Sequence, residues 1–281
     1  MSVFVAGSLH LDVVLRAPDL PRLDETVTGS DVTYVFGGKG GNQAVAASRM
    51  GADVDFTGRV GSDRFGGMIR DALVAAGVNI DQVQVDGGAS GMSAAIVNDD
   101  GDYGAVIVSA ANLRIDPEAI TLPDGTKLVL LQNEIPEAVN LAVARQAVQQ
   151  GVPVWLNAAP ARTLSPSLTD AIDLLIVNQV EAEFYAGATS DTRVIRTLGA
   201  GGVSFHGTTY PAHAVNVIST HGAGDMFVGA LAAQVAVGTS MTDAIAFAQA
   251  AAALHVSKPV YQRNSITPDK VQTFQADQLN W

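Results

Sequence analysis

The sequence contains no cysteine, and this absence excludes several kinds of chemistry. A chain without cysteine forms no disulfide, offers no thiolate to a metal ion and has no thiol nucleophile. Aromatic residues are also scarce, at 6% of 281 residues, although 48% of the residues are hydrophobic. We therefore expect a core of Ala, Val, Leu and Ile side chains, in an amount typical of a folded globular protein rather than a disordered one.

Basic residues are the second shortage. The 16 Lys and Arg are outnumbered by 28 Asp and Glu, which gives a formal net charge of −12, and they form no cluster. The basic surface that nucleic-acid binding requires is missing, so no nucleic acid is expected as a partner. An acidic surface also repels anionic substrates, so a phosphate group would bind this protein only at a local site that favours anions.

Long apolar runs are missing as well. No stretch reaches the length that crosses a membrane, and no basic amphipathic segment indicates binding to a membrane surface. The first residues, MSVFVAGSLHLD, have neither the basic start nor the long apolar segment of a secretory signal. These absences predict a cytoplasmic protein without a membrane partner.

Short apolar runs alternate with helical patterns along most of the chain. The runs typical of buried strands are VFVAG (3–7), LVLLQ (128–132) and LLIVN (174–178). The segments with helical patterns are 41–51, which Gly51 closes, 63–78 and 137–151. Continuous apolar strands separated by helices predict a parallel sheet covered on both faces, a three-layer α/β/α sandwich within one domain over residues 1–281.

Two stretches interrupt this alternation. Residues 11–38 have no helical pattern, and residues 91–109 contain two strand-like runs joined by the turn sequence NDDGD. Together they predict a small β-sheet lid, formed by roughly residues 11–36 and 91–109. A lid that closes over a site excludes water during a reaction. The alternative is an ordinary extension of the main sheet.

The segment THGAGDMFVGA (220–230) holds one carboxylate, Asp225, directly after a glycine turn. The start of a helix presents unpaired N–H groups and partial positive charge, and Gly222 and Gly224 let an anion approach the backbone. Asp225 in the first helical turn can accept a proton from a hydroxyl that attacks phosphorus. The alternative is that Asp225 only favours the start of the helix.

A second glycine-rich segment, FGGKGGNQAVAASRMG (36–51), places four glycines around Lys39 before a helix expected to begin near Asn42. The Asn42 amide offers both a donor and an acceptor, which suits sugar hydroxyls. The segment is not a P-loop, because Gly-Lys-Ser/Thr at the required spacing is missing. The alternative is a plain glycine-rich loop with an asparagine cap.

These two segments resemble the two signature motifs of the PfkB carbohydrate kinases, most closely their ribokinase-like members. The resemblance extends from VAGSLHLD to SITPDKVQTF, with LQNEIP (131–136), VWLNAAPAR (154–162), VNQVEAE (177–183) and TLGAGG (197–202) between. It implies the ribokinase-like fold with a β lid. It also implies ATP-dependent phosphorylation of a sugar hydroxymethyl group, with ribose as the first candidate and Mg²⁺ as cofactor.

The resemblance further implies roles for individual residues. Asp225 would be the catalytic base, and the backbone of Gly222, Ala223 and Gly224 would form the anion hole. The residues expected to contact the sugar are His10, Asp12, Gly38, Lys39, Asn42 and Glu134. The residues expected to bind ATP are Asn178, Thr197, Gly199, Gly202 and Gln249. Glu181 would lie beside the water shell of Mg²⁺.

Three departures from the family pattern leave alternatives open. His10 stands where Asn is usual, so the substrate can be another sugar or a nucleoside such as pseudouridine or adenosine. Ser219 replaces an Asp that helps to hold a monovalent cation, so K⁺ dependence is expected to be weak or absent. The short segment 184–196 leaves little room for a helix and a strand, which predicts a reduced nucleotide side. It also predicts an exposed sheet face, unless another element or a subunit covers it.

Two further expectations concern the function class and the assembly. A non-catalytic sugar-binding protein on the same fold is the alternative from another class, because a fold does not guarantee an activity. The lid segments carry apolar runs that a small sheet cannot bury alone, and a two-fold copy is an economical cover. A homodimer through the lid is therefore predicted, against a monomer whose lid closes on its own site.

Overall fold

The computed structural model describes residues 2–100, 102–187 and 193–278. Within these residues the strands are β1 (Ser2–Ala6), β2 (His10–Arg16), β3 (Asp31–Gly37), β4 (Asp53–Gly61), β5 (Val78–Asp86), β6 (Gly91–Val97), β7 (Tyr103–Val108), β8 (Thr126–Gln132), β9 (Val154–Asn157), β10 (Leu174–Asn178), β11 (Val194–Thr197), β12 (Val203–Phe205) and β13 (Thr208–Tyr210). The helices described there are α1 (Lys39–Arg49), α2 (Arg64–Ala75), α3 (Glu137–Gln150), α4 (Pro166–Ala171), α5 (Gln179–Phe184), α6 (Ala223–Ala236), α7 (Met241–Val256) and α8 (Pro268–Gln278).

The central sheet has the described strands in the order β13-β12-β11-β10-β9-β8-β1-β4-β5. Its neighbours pair in parallel from β11 to β5, and β12 and β13 continue the sheet antiparallel at one edge. Parallel strands place their carboxyl ends at one edge of the sheet, where α/β proteins bind ligands. The topology therefore gathers the loops after β1, β8 and β10 into one region.

Both faces of the sheet are covered, and β1 shows how. Val3 and Val5 pack with α1 and α6, whereas Phe4 and Ala6 pack with α3 on the opposite face. Each of these four side chains is fully buried. Successive residues of a strand point to opposite faces, so a continuous apolar run is what a strand between two helical layers requires. The predicted three-layer α/β/α sandwich is confirmed.

Helix α1 begins at Lys39 rather than near Asn42, so the expected start of this helix is wrong. The reason lies far away in the sequence. The Glu134 carboxylate accepts the Lys39 N–H at 2.9 Å and so caps the helix. Gly38 has a φ of +90°, a conformation that other residues rarely adopt, and turns the chain into the helix.

The strands β3-β2-β6-β7 form a separate four-stranded sheet, which we call the lid sheet. Asp12 is in register with Val35 on one side and Ser93 on the other, so these three side chains share one face. Val13, Tyr34, Ala94 and Val106 occupy the other face in register. The two segments expected to form a lid thus supply one sheet.

The short segment 184–196 includes most of a strand, β11, and residues 188–192 lie outside the described residues. β11 runs parallel to β10, and Val194 and Ile195 are buried on opposite faces. Val194 packs in the same apolar cluster as Leu168 of α4 and Tyr185. The strand is present in spite of the little room expected for it, and the sheet face is covered by other elements, α4 and Tyr185, which is the alternative to an exposed face. None of the described helices is long and apolar enough to cross a membrane.

Candidate active site

A cavity of about 160 Å³ lies at the carboxyl ends of β9, β10 and β11, against the first turn of α6. Lys39 reaches it from α1 and Thr220 from the loop before α6. The predicted site residues that line it are Lys39, Asn178, Glu181, Thr197, Gly222, Ala223, Gly224 and Asp225. Residues that are up to 186 positions apart in the sequence therefore meet around one small space.

Asp225 lies in the first turn of α6 and is held by two side-chain amides. Asn42 Nδ2 donates to Oδ2 at 3.2 Å, and Gln43 Nε2 donates to Oδ1 at 2.9 Å. Desolvation raises the pKa of Asp225, and the Lys39 charge and the two amide bonds counteract that rise. The carboxylate is thus oriented and accepts a proton more readily than an ordinary aspartate.

The turn before α6 is shaped for a close approach to its backbone. Gly222 is the N-cap residue and has a φ of +74°. The Ala223 N–H is already donated to Thr220 O at 3.1 Å, whereas helix geometry leaves the N–H groups of Gly224 and Asp225 without intrahelical acceptors. An anion at this turn would therefore bind those two groups directly, and Ala223 only after its bond to Thr220 opens.

Glu134 connects the sugar-side loops. Its Oε2 accepts from Ser8 Oγ at 2.5 Å and from the Lys39 N–H at 2.9 Å. Both bonds fall on the same oxygen, so Oε1 is the atom within reach of a ligand hydroxyl. The structure therefore gives Glu134 a structural role at the start of α1 in addition to the predicted contact with the sugar.

His10 and Asp12 lie at the near end of the lid sheet. His10 is 6% exposed, and its Nε2 has no hydrogen-bond partner among the described residues. Asp12 Oδ1 accepts from Ser93 Oγ at 2.6 Å, and the lack of a side chain at Gly37 leaves space for its carboxylate. An unpartnered buried nitrogen beside an oriented carboxylate is an arrangement that favours binding of a polyhydroxyl ligand.

Comparison with known proteins agrees with this geometry. The model of the pfkB family carbohydrate kinases matches residues 1–268. The chain belongs to the pfkB family of carbohydrate kinases. It is 35% identical over 271 residues to ribokinase of Bacillus subtilis, which covers 91% of this chain and 92% of that one. It is also 35% identical to ribokinase of Lactococcus lactis, over 91% of each chain.

A solved structure supports the same family assignment. Arabidopsis thaliana ribokinase complexed with ribose and ATP superimposes with a TM-score of 0.87 and 28% identity, over 97% of this chain and 98% of that chain. The ribokinase-like fold with its lid sheet is thereby confirmed. So is the predicted membership of a carbohydrate kinase family, which makes the chain a phosphotransferase acting on an alcohol.

The Mg²⁺ site predicted for this pfkB kinase depends on Glu181. Glu181 and Asn178 form a capping box at the start of α5: Glu181 Oε2 accepts the Asn178 N–H at 2.8 Å, and Asn178 Oδ1 accepts the Glu181 N–H at 2.9 Å. The described residues contain no group of three or more His, Asp or Glu side chains placed to hold a metal. This donor set fits a hard cation that keeps its waters and phosphate oxygens, with Glu181 in its outer shell.

The other predicted ATP-binding residues differ in position. Thr197 lines the cavity, and its Oγ1 donates to Val177 O at 3.3 Å. Gln249 Nε2 instead donates to Tyr210 O at 2.9 Å and to Pro211 O at 3.2 Å. Gly202 has a φ of +93° and packs against the same loop. In the described structure Gly199, Gly202 and Gln249 do not line the cavity at Asp225, and their binding of ATP stays a prediction.

Gln43 is a site residue that sequence reasoning missed. Its Oε1 accepts from Gln132 Nε2 at 3.0 Å, so its own amide nitrogen must face Asp225. Gln132 O accepts in turn from Asn140 Nδ2 at 2.8 Å, and all three amide side chains are fully buried. A glutamine on the apolar face of α1 and another at the end of β8 were the available signals. Gln43 and Gln132 form a chain of two side-chain amides behind the Asp225 carboxylate, and Asn140 holds the backbone carbonyl of Gln132.

Proposed function

We propose that the protein phosphorylates ribose at its hydroxymethyl group, with ATP as phosphoryl donor. The observation that carries this proposal is the Asp225 carboxylate, oriented by two amides beside the turn that begins α6. The similarity to ribokinases, one of them solved with ribose and ATP, supports the choice of sugar and donor.

In the proposed reaction the sugar hydroxyl donates its proton to Asp225. The alkoxide oxygen attacks the γ-phosphorus in line, a new P–O bond forms, and ADP leaves as the old bond breaks. The N–H groups at the start of α6 and the Lys39 ammonium lie where charge accumulates on the transferred group. Mg²⁺ would neutralise charge on the phosphate oxygens, with Glu181 and Asn178 near its water shell.

The sugar would lie between the lid sheet and α1. Asp12 and Glu134 are the carboxylates available for paired hydroxyls, and Asn42 supplies an amide between them and the base. The buried Nε2 of His10 needs a partner, and a sugar hydroxyl can supply it. Gly38 and Lys39 contribute backbone at the start of α1.

A larger substrate is the second candidate, and a specific observation favours it. A second cavity of about 460 Å³ adjoins Asp225 and lies between β3, α1 and the 3-10 segment Val260–Ser265. Phe36, Val45 and Tyr261 give it apolar and aromatic walls, which suit the base of a nucleoside. His10 in place of Asn agrees with a changed acceptor, so a nucleoside remains the main competitor of ribose.

We also propose a homodimer that covers the apolar face of the lid sheet. On that face Val106 is 66% exposed and Tyr34 is 50% exposed. A large exposed apolar patch marks an interaction site, and a self-complementary patch closes as a two-fold dimer. Val35 lies on the opposite face of the lid sheet, in register with Asp12. A charged substitution at Val35 would therefore disturb the face that carries the proposed sugar ligand Asp12, and not the proposed dimer interface.

The deciding experiment is a coupled assay of ADP release across pentoses, hexoses and nucleosides, with ATP and Mg²⁺. The highest kcat/KM is expected for ribose, and the Asp225→Asn variant serves as the negative control. A nucleoside with the highest kcat/KM would replace ribose as substrate. Sugar binding by calorimetry without turnover of any acceptor would instead favour a non-catalytic sugar-binding protein.

A further inference from the structure

Arg263 lies beside the turn that begins α6, in the short 3-10 segment Val260–Ser265, and lines the larger cavity together with Asp225. It is 6% exposed. Its guanidinium donates to three backbone carbonyls: Nη1 to His221 O at 2.9 Å, Nη2 to Ser219 O at 3.1 Å and Nε to Lys258 O at 3.2 Å. One side chain therefore ties the α6 turn to the end of α7.

This arrangement places a cation among carbonyl oxygens, not beside a carboxylate. Burial lowers the pKa of Arg263, but an arginine stays protonated in proteins. Carbonyl dipoles that converge on one point repel each other unless a positive charge lies between them. The planar guanidinium supplies that charge together with several donors in a fixed geometry. The carbonyls of Ser219, His221 and Lys258 are thus held together by a charge that belongs to the chain.

The carbonyl of His221 controls the direction of the next N–H group. It accepts from Arg263 and also contacts His255 Nε2 at 2.9 Å. Burial lowers the pKa of His255 to about 4, so its imidazole is neutral at pH 7. In a trans peptide the C=O and N–H point in opposite directions. Drawing the His221 carbonyl towards Arg263 therefore turns the Gly222 N–H away from Arg263.

We propose that Arg263 is a positioning residue that acts as a built-in cation. It holds the turn 219–224 in the shape that binds the transferred phosphoryl group, and the reaction then needs no added monovalent cation. Ser219 replaces the Asp that is expected to help hold K⁺. Its backbone carbonyl accepts a hydrogen bond from Arg263 instead. The role in phosphoryl transfer rests on the proposed function, whereas the effect on the turn does not.

The test compares Arg263→Met with Arg193→Met. Arg193 also donates to a backbone carbonyl, Ile172 O at 2.9 Å, but it lies directly before β11 and away from the turn that begins α6. Hydrogen exchange of the amides in residues 217–226 is followed with tetramethylammonium, K⁺ or guanidinium as the cation at constant ionic strength. Thermal unfolding establishes that each variant folds. Arg263→Lys, which keeps the charge without the planar donors, is the second variant if Arg263→Met does not fold.

We expect Arg263→Met to increase exchange in residues 217–226 by about tenfold or more, the equivalent of one hydrogen bond to a charged group. K⁺ or guanidinium should reverse part of this increase in Arg263→Met and change nothing in the parent. kcat should fall by a similar factor and recover with the same cations, with a smaller change in the KM for sugar. Arg263→Lys should lie between Arg263→Met and the parent.

Three results would overturn the inference. The first is strong activation of the parent by K⁺. The second is exchange in residues 217–226 that is the same in the folded Arg263 variant, Met or Lys, as in the Arg193→Met control. The third is faster exchange in the Arg263 variant that neither K⁺ nor guanidinium reverses. Failure of the proposed function looks different. A parent that phosphorylates no acceptor would remove the kinetic readout and leave the exchange comparison intact.

Discussion

The two sides of the turn before α6 hold their polar groups by opposite means. On the cavity side, Asp225 accepts hydrogen bonds from the neutral amides of Asn42 and Gln43. Towards the segment 260–265, the carbonyls of Ser219 and His221 accept from the cationic Arg263. Neutral amides orient a carboxylate without cancelling its charge, whereas an arginine in their place would lower its pKa and weaken it as a base. A charged partner such as Arg263 suits the carbonyls of Ser219 and His221, because these groups need only a fixed position.

Removing the carboxylate from the cavity side should have the largest effect. Asp225→Asn keeps the size of the side chain but cannot accept the proton of the sugar hydroxyl. We expect kcat to fall by about 10²–10⁴, while calorimetry shows little change in sugar affinity, because the group acts mainly in the transition state.

Asp173→Asn is the matched control for this variant. Asp173 accepts the Val154 N–H at 2.8 Å and lies outside the cavity, so its variant should keep the parent kcat. An Asp225→Asn variant with near-parent kcat, measured where chemistry limits the rate, would contradict the assignment of the base.

The cavity side was the part of the site that the sequence could predict. Asp225 is the one carboxylate in the segment 220–230, directly after a glycine turn, and the glycine-rich segment with Asn42 carries its own signal. The alternation of apolar runs and helical patterns likewise predicted the three layers, because burial on two faces demands continuous apolar strands. The confirmed fold and family depend on these local signals.

The groups behind that site could not be predicted, because their partners are distant in the sequence. Gln43 bonds to Gln132 across 89 positions, and Arg263 bonds to Ser219 across 44. The start of α1 at Lys39 was missed for the same reason, since its capping carboxylate is 95 positions away. A helix boundary or an arginine role that depends on tertiary contacts has no local pattern to reveal it.

The Asp12→Ala variant is expected to separate sugar binding from the chemistry proposed at Asp225. Its carboxylate is oriented by the Ser93 hydroxyl and lies on the lid sheet, so its loss should weaken binding rather than the chemical step. We expect Asp12→Ala to raise the KM for the sugar about 10–100-fold with a smaller change in kcat, because hydroxyls lose a charged acceptor.

Ser93→Ala removes the group that orients Asp12 and leaves the carboxylate in place. It should therefore raise KM less than Asp12→Ala does. Calorimetry that finds equal sugar affinity in Asp12→Ala and the parent would show that Asp12 does not contact the sugar.

The Gln43→Met variant tests whether the neutral amide of Gln43 affects the pKa of the proposed base, Asp225. Gln43→Met keeps the volume but removes a hydrogen bond to the charged form of Asp225, so the pKa of Asp225 should rise further. Because the base acts when deprotonated, the acid limb of the kcat/KM profile should move to higher pH. We expect kcat/KM to fall on that acid limb and to change much less at higher pH, where Asp225 is deprotonated in both proteins.

The control for Gln43 is Gln146→Met on α3, where the amide donates to Ile120 O at 2.9 Å away from the cavity. Gln146→Met should leave the pH profile unchanged even if it lowers Tm. An unchanged acid limb in Gln43→Met, with the protein folded, would mean that the amide chain does not act on Asp225.

The smallest effect on catalysis is expected at the apolar face of the lid sheet. Val106 lies on the face opposite Asp12, 66% exposed on the edge strand β7. Because the proposed dimer buries that face, Val106→Asp places an unpaired charge in its interface. Light scattering should then give the mass of one chain instead of two, with kcat changed by less than about threefold, since the cavity at Asp225 is built by one chain.

Val74→Asp on α2, where Val74 is 56% exposed, introduces the same charge on another surface and should leave the dimer intact. If the parent itself has the mass of a single chain, the lid sheet closes on its own site and the homodimer is rejected. A Val106→Asp dimer would move the interface to another surface. A Val106→Asp monomer that also loses sugar affinity would show that the lid sheet of the partner helps to hold the sugar.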